Sequence, residues 1–286
     1  RCILSRNQDR LGGAQQQDTS PPVQAMNEGT GGFSFVIPTE FVELPTGGKY
    51  YPPGHPLHNQ SAIEIKQMTA KEEDMLTSRT LLKKGVALDR VIGSLIVNKA
   101  IDPDSLFVGD RNAIIVATRV SGYGNDYTTK VTCPACGTNQ EYSFDLNDAD
   151  IFSGDENNPM NVTDNGDSTF NVTLPKTNVI VTFKLLTGVD EKRLVAGVEA
   201  DKKKRIDRGI TRQLASMIVA VNDDDSIDAI KYLVENIPSS DSRHLRLAYK
   251  LTSPNVDLTQ HFECGECGHE QDMEVPLNAD FFWPDR

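Results

Sequence analysis

The chain has 286 residues, 38% hydrophobic and 24% charged, enough to bury one large core or two ordinary ones. No stretch approaches the roughly 20 uninterrupted apolar residues that a spanning helix needs. The net charge of −12 opposes adhesion to nucleic acid or anionic lipid, which carry the same sign, and makes a basic partner or a charge-neutral docking face the easier expectation.

Residues 1–32 are polar and rich in Gln, Gly, Ser and Pro, too poor in apolar groups to offset the entropy of ordering. They are expected to be an extended or disordered arm. The folded part opens with Phe33-Ser-Phe-Val-Ile-Pro38 and Val42-Glu-Leu-Pro45, followed by a Gly/Pro-rich loop from Thr46 to Asn59 and an alternating strand at Ile63-Glu-Ile-Lys-Gln67. Thr69-Ala-Lys-Glu72 has capping-box spacing, so a helix starts there, with Gly85 as its stop. Leu88, Val91, Ile92, Leu95 and Ile96 recur along one helical stripe. A third helix, from about Asp110 to Val120, leads into a hairpin: Thr128 to Cys133-Pro-Ala-Cys136-Gly, returning through Glu141-Tyr-Ser-Phe-Asp-Leu146.

After a tight-turn dipeptide at Asn165-Gly166, the same features return in the same order. Val42-Glu-Leu-Pro45 is matched by Val172-Thr-Leu-Pro175, and Ile65-Lys-Gln-Met-Thr69 by Phe183-Lys-Leu-Leu-Thr187 ahead of Asp190. Arg90-Val-Ile-Gly-Ser-Leu-Ile-Val97 aligns with Arg212-Gln-Leu-Ala-Ser-Met-Ile-Val219, the helix from Asp110 with one from Asp241, and Cys133/Cys136 with Cys264/Cys267. Leu146 to Phe152 then matches Leu277 to Phe282 with one residue fewer. Any one segment could match by chance; the series in one order indicates a duplication. The expected fold class is therefore α+β, with two tandem similar modules at 33–152 and 153–286. Each has a small antiparallel sheet, several helices and a terminal, zinc-ribbon-like Cys-x-x-Cys hairpin.

Four of the five cysteines lie in those two pairs, and Cys2 stands alone. This is not a disulfide-scaffold pattern, and with no apolar signal segment ahead of the fold a reducing, cytoplasm-like compartment is expected. A Cys-x-x-Cys turn followed by Gly forms a knuckle, and two knuckles supply the four thiolates that tetrahedral zinc prefers. The pairs are some 130 residues apart, so Cys133, Cys136, Cys264 and Cys267 would meet only if the modules dock on each other. Zn²⁺ would then be a structural clamp with no open position for catalysis. His261 and His269 are substitute ligands should the knuckles not meet. Relic knuckles, a plain disulfide and a redox pair are the competing readings; the last needs a strand-to-helix setting these hairpins lack.

Other clusters read as structure. His55-Pro-Leu-His58 sits in a loop without a third ligand, Lys202-Lys-Lys-Arg205 is the solvated end of a helix, and Asp223-Asp-Asp225 and Asp164-Asn-Gly-Asp167 are short acidic turns without a full calcium-loop pattern, explained by helix capping or turn formation. No nucleophile with its base, phosphate-cradling loop or acid/base pair stands out, so no catalytic residue is assigned. Phe152, Phe281, Phe282 and Trp283 are candidate packing or docking anchors.

Met68-Thr-Ala-Lys-Glu-Glu-Asp-Met-Leu76, the helix pair after it, and the Cys133-Pro-Ala-Cys136 hairpin ending in Phe144-Asp-Leu146 together resemble the T4-type phage baseplate hub family, also described as hub assembly chaperones. The resemblance covers residues 33–152 well and the second stretch faintly; the Gly47–Asn59 loop, the arm and the second Cys-x-x-Cys depart from the pattern. It implies a non-enzymatic component of a contractile tail, built in the host cytoplasm and located in the virion baseplate. Its partners would be other tail proteins and copies of itself in a symmetric assembly. The rival reading is a zinc-ribbon accessory factor that binds nucleic acid, which the net charge disfavours; a thiol-disulfide enzyme is the third.

Overall fold

The computed structural model describes residues 25–26, 35–78, 80–81, 86–154, 158–275 and 279–282. Cys2, the expected helix stop at Gly85, Trp283 and most of the N-terminal arm lie outside the described residues. From the arm, β1 (Ala25–Met26) pairs with β2 (Val36–Ile37), which lies just beyond it. The fold is α+β.

Strands β3 (Thr39–Glu43) and β4 (Ala62–Lys66) form an antiparallel pair in which Val42 faces Ile63. Their alternation puts Val42, Ile63 and Ile65 in the core. Helix α1 (Ala70–Thr77) begins at the expected capping box: Glu72 accepts from the Thr69 backbone N–H at 3.0 Å, and its other oxygen accepts from Ser94 Oγ at 2.5 Å. Helix α2 (Ala87–Leu95) differs slightly from the expected stripe. Ala87, Val91, Ile92 and Leu95 are buried, whereas Leu88 is 39% exposed, because the core-facing line at 3.6 residues per turn runs through positions 87, 91 and 95. Ile96 has already left the helix and bridges Ile65. Helix α3 (Val108–Tyr123) stops at Gly124, whose φ of 83° suits glycine. The hairpin β5 (Asp126–Thr132) and β6 (Asn139–Asp145) follows, then β7 (Asp150–Phe152).

Asn165-Gly166 makes the turn between β8 (Thr163–Asp164) and β9 (Thr169–Thr173), with Asn165 N–H donating to the Thr169 carbonyl. With β10 (Ile180–Lys184) and β11 (Ile218–Val221) they form an antiparallel sheet of order β11-β10-β9-β8. Helix α4 (Gly188–Lys203) carries the second capping box, Thr187 with Asp190. Helix α5 (Gly209–Met217) precedes β11, and α6 (Ile227–Asn236), capped by Ser226 Oγ accepting from Ala229 N–H, follows it. Helix α7 (Ser239–Thr252) leads to β12 (Asn255–Asp257), the hairpin β13 (Thr259–Glu263) and β14 (Glu270–Glu274), and a 3-10 turn at Ala279–Phe282.

Two fully buried carboxylates tie the helices before the hairpins to the turns after the first strands. Asp110 accepts from Thr46 N–H (3.1 Å), Thr46 Oγ1 (2.7 Å) and Tyr51 Oη (2.7 Å). Asp241 accepts from the N–H groups of Lys176 and Thr177 and from Thr177 Oγ1.

Buried side chains from both stretches form one continuous apolar cluster, and the two stretches exchange their ends. Strand β7 pairs with β12, Val256 facing Ile151. In return Phe281 and Phe282 are buried, the Phe281 ring lies 5.1 Å from that of Tyr127, and the fully buried Arg119 donates to the carbonyls of Phe281, Gly124 and Asp126. Of the proposed anchors, Phe281 and Phe282 are thus core residues and Phe152 is half-buried. Gly109 presses against β12's approach so closely that a Cβ would lie 2.0 Å from the Pro254 carbonyl oxygen, a contact only glycine permits.

Candidate metal centre

Each Cys-x-x-Cys turn closes with the same bonds. In the first, Cys133 N–H donates to the Thr138 carbonyl and Gly137 N–H to the Cys133 carbonyl; in the second, Cys264 N–H donates to the His269 carbonyl and Gly268 N–H to the Cys264 carbonyl, all at 2.8–2.9 Å. Gly137 and Gly268 have φ of 73° and 66°, a left-handed turn that glycine adopts without strain. This is why the sequence carries Gly after the second cysteine of each pair.

The two turns meet. All four sulfurs lie within 4.8 Å of one another, with Cys133 and Cys267 at 3.8 Å and Cys136 and Cys264 at 3.8 Å. A disulfide bond measures about 2.05 Å, and all four are free thiols. Four sulfurs at about 2.3 Å from one zinc would have tetrahedral edges of about 3.8 Å, so the donor set, its spacing and its closure fit a tetrahedral thiolate site. Cys133 and Cys264 are buried; Cys136 and Cys267 are exposed.

Contacts between the hairpins hold the cluster. Gln140 Oε1 accepts from Gly265 N–H at 3.1 Å and Tyr142 Oη donates to the His261 carbonyl at 3.2 Å. Gln260 donates to the Asp145 carbonyl at 2.6 Å and accepts from its N–H at 3.2 Å, and the Tyr142 and Phe262 rings sit 5.0 Å apart. Hydrogen bonds from the side chain and amide of Thr138 hold the Cys136 thiol down to about 6. At Cys267 the His269 amide pulls down, but partial desolvation by its neighbours and the thiols of Cys136, Cys264 and Cys133 push it up to about 12. Four adjacent thiols cannot all ionise without a cation to balance them.

The substitute ligands stay apart from the sulfurs: His261 faces Asp272 and His269 Nε2 lies 3.4 Å from Gln271. His55 bonds Ser105, and His58 bonds the Tyr51 carbonyl, so both loop histidines have structural partners. Asp164 accepts from Gly166 N–H and Asp224 from Ser226 N–H, the turn-forming roles expected of those acids. The tethers made by Asp110, Asp241 and Arg119 escaped the sequence reading, since each depends on a partner 64 to 162 positions away.

Residues 37–283 match the family model described as T4 bacteriophage base plate protein. No curated protein and no solved structure matches the chain significantly.

Proposed function

The chain belongs to the T4 bacteriophage base plate protein family, and from that premise we propose that it is a non-catalytic component of the baseplate hub. In this reading Cys133, Cys136, Cys264 and Cys267 hold one structural Zn²⁺ that clamps two tandem modules, 33–152 and 153–286, into a body that neighbouring tail proteins and further copies of the chain grip. The carrying observation is the convergence of four free sulfurs, from turns 128 and 134 positions apart, within 4.8 Å. A closed four-thiolate site leaves the metal no position for substrate, so it supplies rigidity.

The duplication draws support from features that recur as pairs: two capping boxes, two buried aspartates tying a helix to the turn after Leu-Pro, and two identical knuckles. Exchanging the modules also exchanges the sulfur contacts, Cys133–Cys267 for Cys264–Cys136, as a pseudo-twofold requires. A nucleic-acid-binding ribbon is disfavoured by the many carboxylates on both hairpins.

Two measurements test this reading. Plasma mass spectrometry of the purified chain should find one zinc per chain, lost when Cys133→Ser and Cys264→Ser are combined; well under one zinc in the unaltered chain removes the clamp. Proteomics of purified virions should find the chain in tails, and its restriction to unfinished assembly intermediates would replace the resident role with a transient one.

A further inference from the structure

The charge of this molecule is segregated. Residues 125–152 hold five acids and residues 255–275 six, against the single Lys130, so the hairpin pair carries a net −10 of the chain's −12. Three acid pairs stand directly opposite each other across strands: Asp126 and Asp145, Asp150 and Asp257, Glu263 and Glu270. Like charges in that position are destabilising. Among the described residues, no Lys or Arg makes an ion pair with any of them.

The complementary surface is elsewhere on the fold. Lys202, Lys203, Lys204, Arg205, Arg208 and Arg212 face one acid, Asp207, over residues 202–212, a net +5. Of these only Arg212 is in an ion pair among the described residues, with Asp201. Arg208 and Arg212, with Lys231 and the acids Asp207 and Glu235, line a groove of about 1030 Å³ between α5 and α6, and Lys202 and Arg205 line the smaller pocket that adjoins it at Asp207, Arg208 and Gly209. The groove's lining also includes Ile210, Ala215, Ile218, Ile227, Ile230 and Val234, of which Ile210 is 51% and Ile227 82% exposed.

We propose that this groove receives the acidic hairpin arm of a second copy of the chain, with the exposed Pro134 and Ala135 of the knuckle tip against its apolar floor and the arm's carboxylates against the basic rim. A groove on one copy and an arm on the next make a heterologous, head-to-tail contact, which propagates into a closed ring or a filament and cannot stop at a symmetric dimer. The inference rests on the reading of the chain as an assembly component and supplies the surface through which copies join.

Light scattering and zinc analysis of the same full-chain samples test it. At low salt the unaltered chain should show a mass of several copies, falling to one chain of 31.5 kDa at high salt, since exposed charge contacts are screened. An arm variant (Glu270→Lys with Glu274→Lys) and a groove variant (Arg205→Glu with Arg208→Glu) should each be single chains. Mixed, they should form a capped pair and nothing larger, because each retains the half the other lost. All four positions are exposed, and unchanged thermal unfolding confirms that the variants fold. A single-chain mass at low salt overturns the proposal, as does association that ignores both variants, failure of the mixture to pair, or a groove that takes a foreign acidic helix or nucleic acid while the chain stays single. Loss of association with zinc retained removes this inference alone, whereas association without zinc removes the clamp alone.

Discussion

Two buried charged residues show how much of the fold rests on single side chains. Asp110 gives three buried donors their acceptor; replacing it with Ala strands them, and Asp110→Ala should destabilise the chain by about 3 kcal/mol, read as a lower urea midpoint at constant slope. Burial raises the Asp110 pKa against the pull of Tyr51 and Thr46. The sign follows: a carboxyl whose folded pKa exceeds its unfolded value contributes most below the ordinary carboxylate range and loses that contribution as pH climbs through the raised value. The stability advantage of the unaltered chain over Asp110→Asn should therefore narrow from acidic to neutral pH, and a widening gap would contradict the assignment. Arg119 is the opposite case, a buried cation with no acid partner among the described residues, its guanidinium donating to three carbonyls. Composition cannot distinguish it from a surface arginine, which is why it was invisible in the sequence.

At the scale of elements, local chemistry was legible where it acts over three or four residues. Both capping boxes, both knuckles, the Asn165-Gly166 turn and the α2 stripe stand where their spacing puts them, apart from Leu88, which is exposed, and Ile96, which lies just past the helix end. Helix α6 was missed: its start has a single Ser cap and three aspartates just before it, a composition that also reads as a turn. The caps are individually testable. Thr69→Ala and Thr187→Ala should each cost about 1 kcal/mol. Burial pushes the Glu72 pKa up, but hydrogen bonds from Ser94 and Thr69 outweigh it and hold it below the ordinary value. Its contribution is thus present above that value and lost as pH falls through the lowered one, so the Thr69→Ala penalty should shrink in acid, the reverse of the trend at Asp110.

Across the whole molecule, the order of matched segments and the chance that the two Cys-x-x-Cys turns meet were legible in the sequence, but not the wider contacts between the two stretches. Those contacts join residues far apart in sequence: β7 with β12, Arg119 with Phe281, Gly109 with Pro254. Deleting residues 279–286 should cost more than about 3 kcal/mol, since it empties the sites of two buried phenylalanines, and a thermal unfolding midpoint within a degree or two of the full chain would show that the ending is dispensable. The exchange of ends also bears on biosynthesis. Helix α3 is made early, yet the carbonyl that its buried guanidinium needs belongs to Phe281, 162 positions later in the chain. The first stretch must therefore wait, incompletely closed, until that later segment has been synthesised and has emerged from the ribosome, and any chaperone that attends this chain has its longest task there.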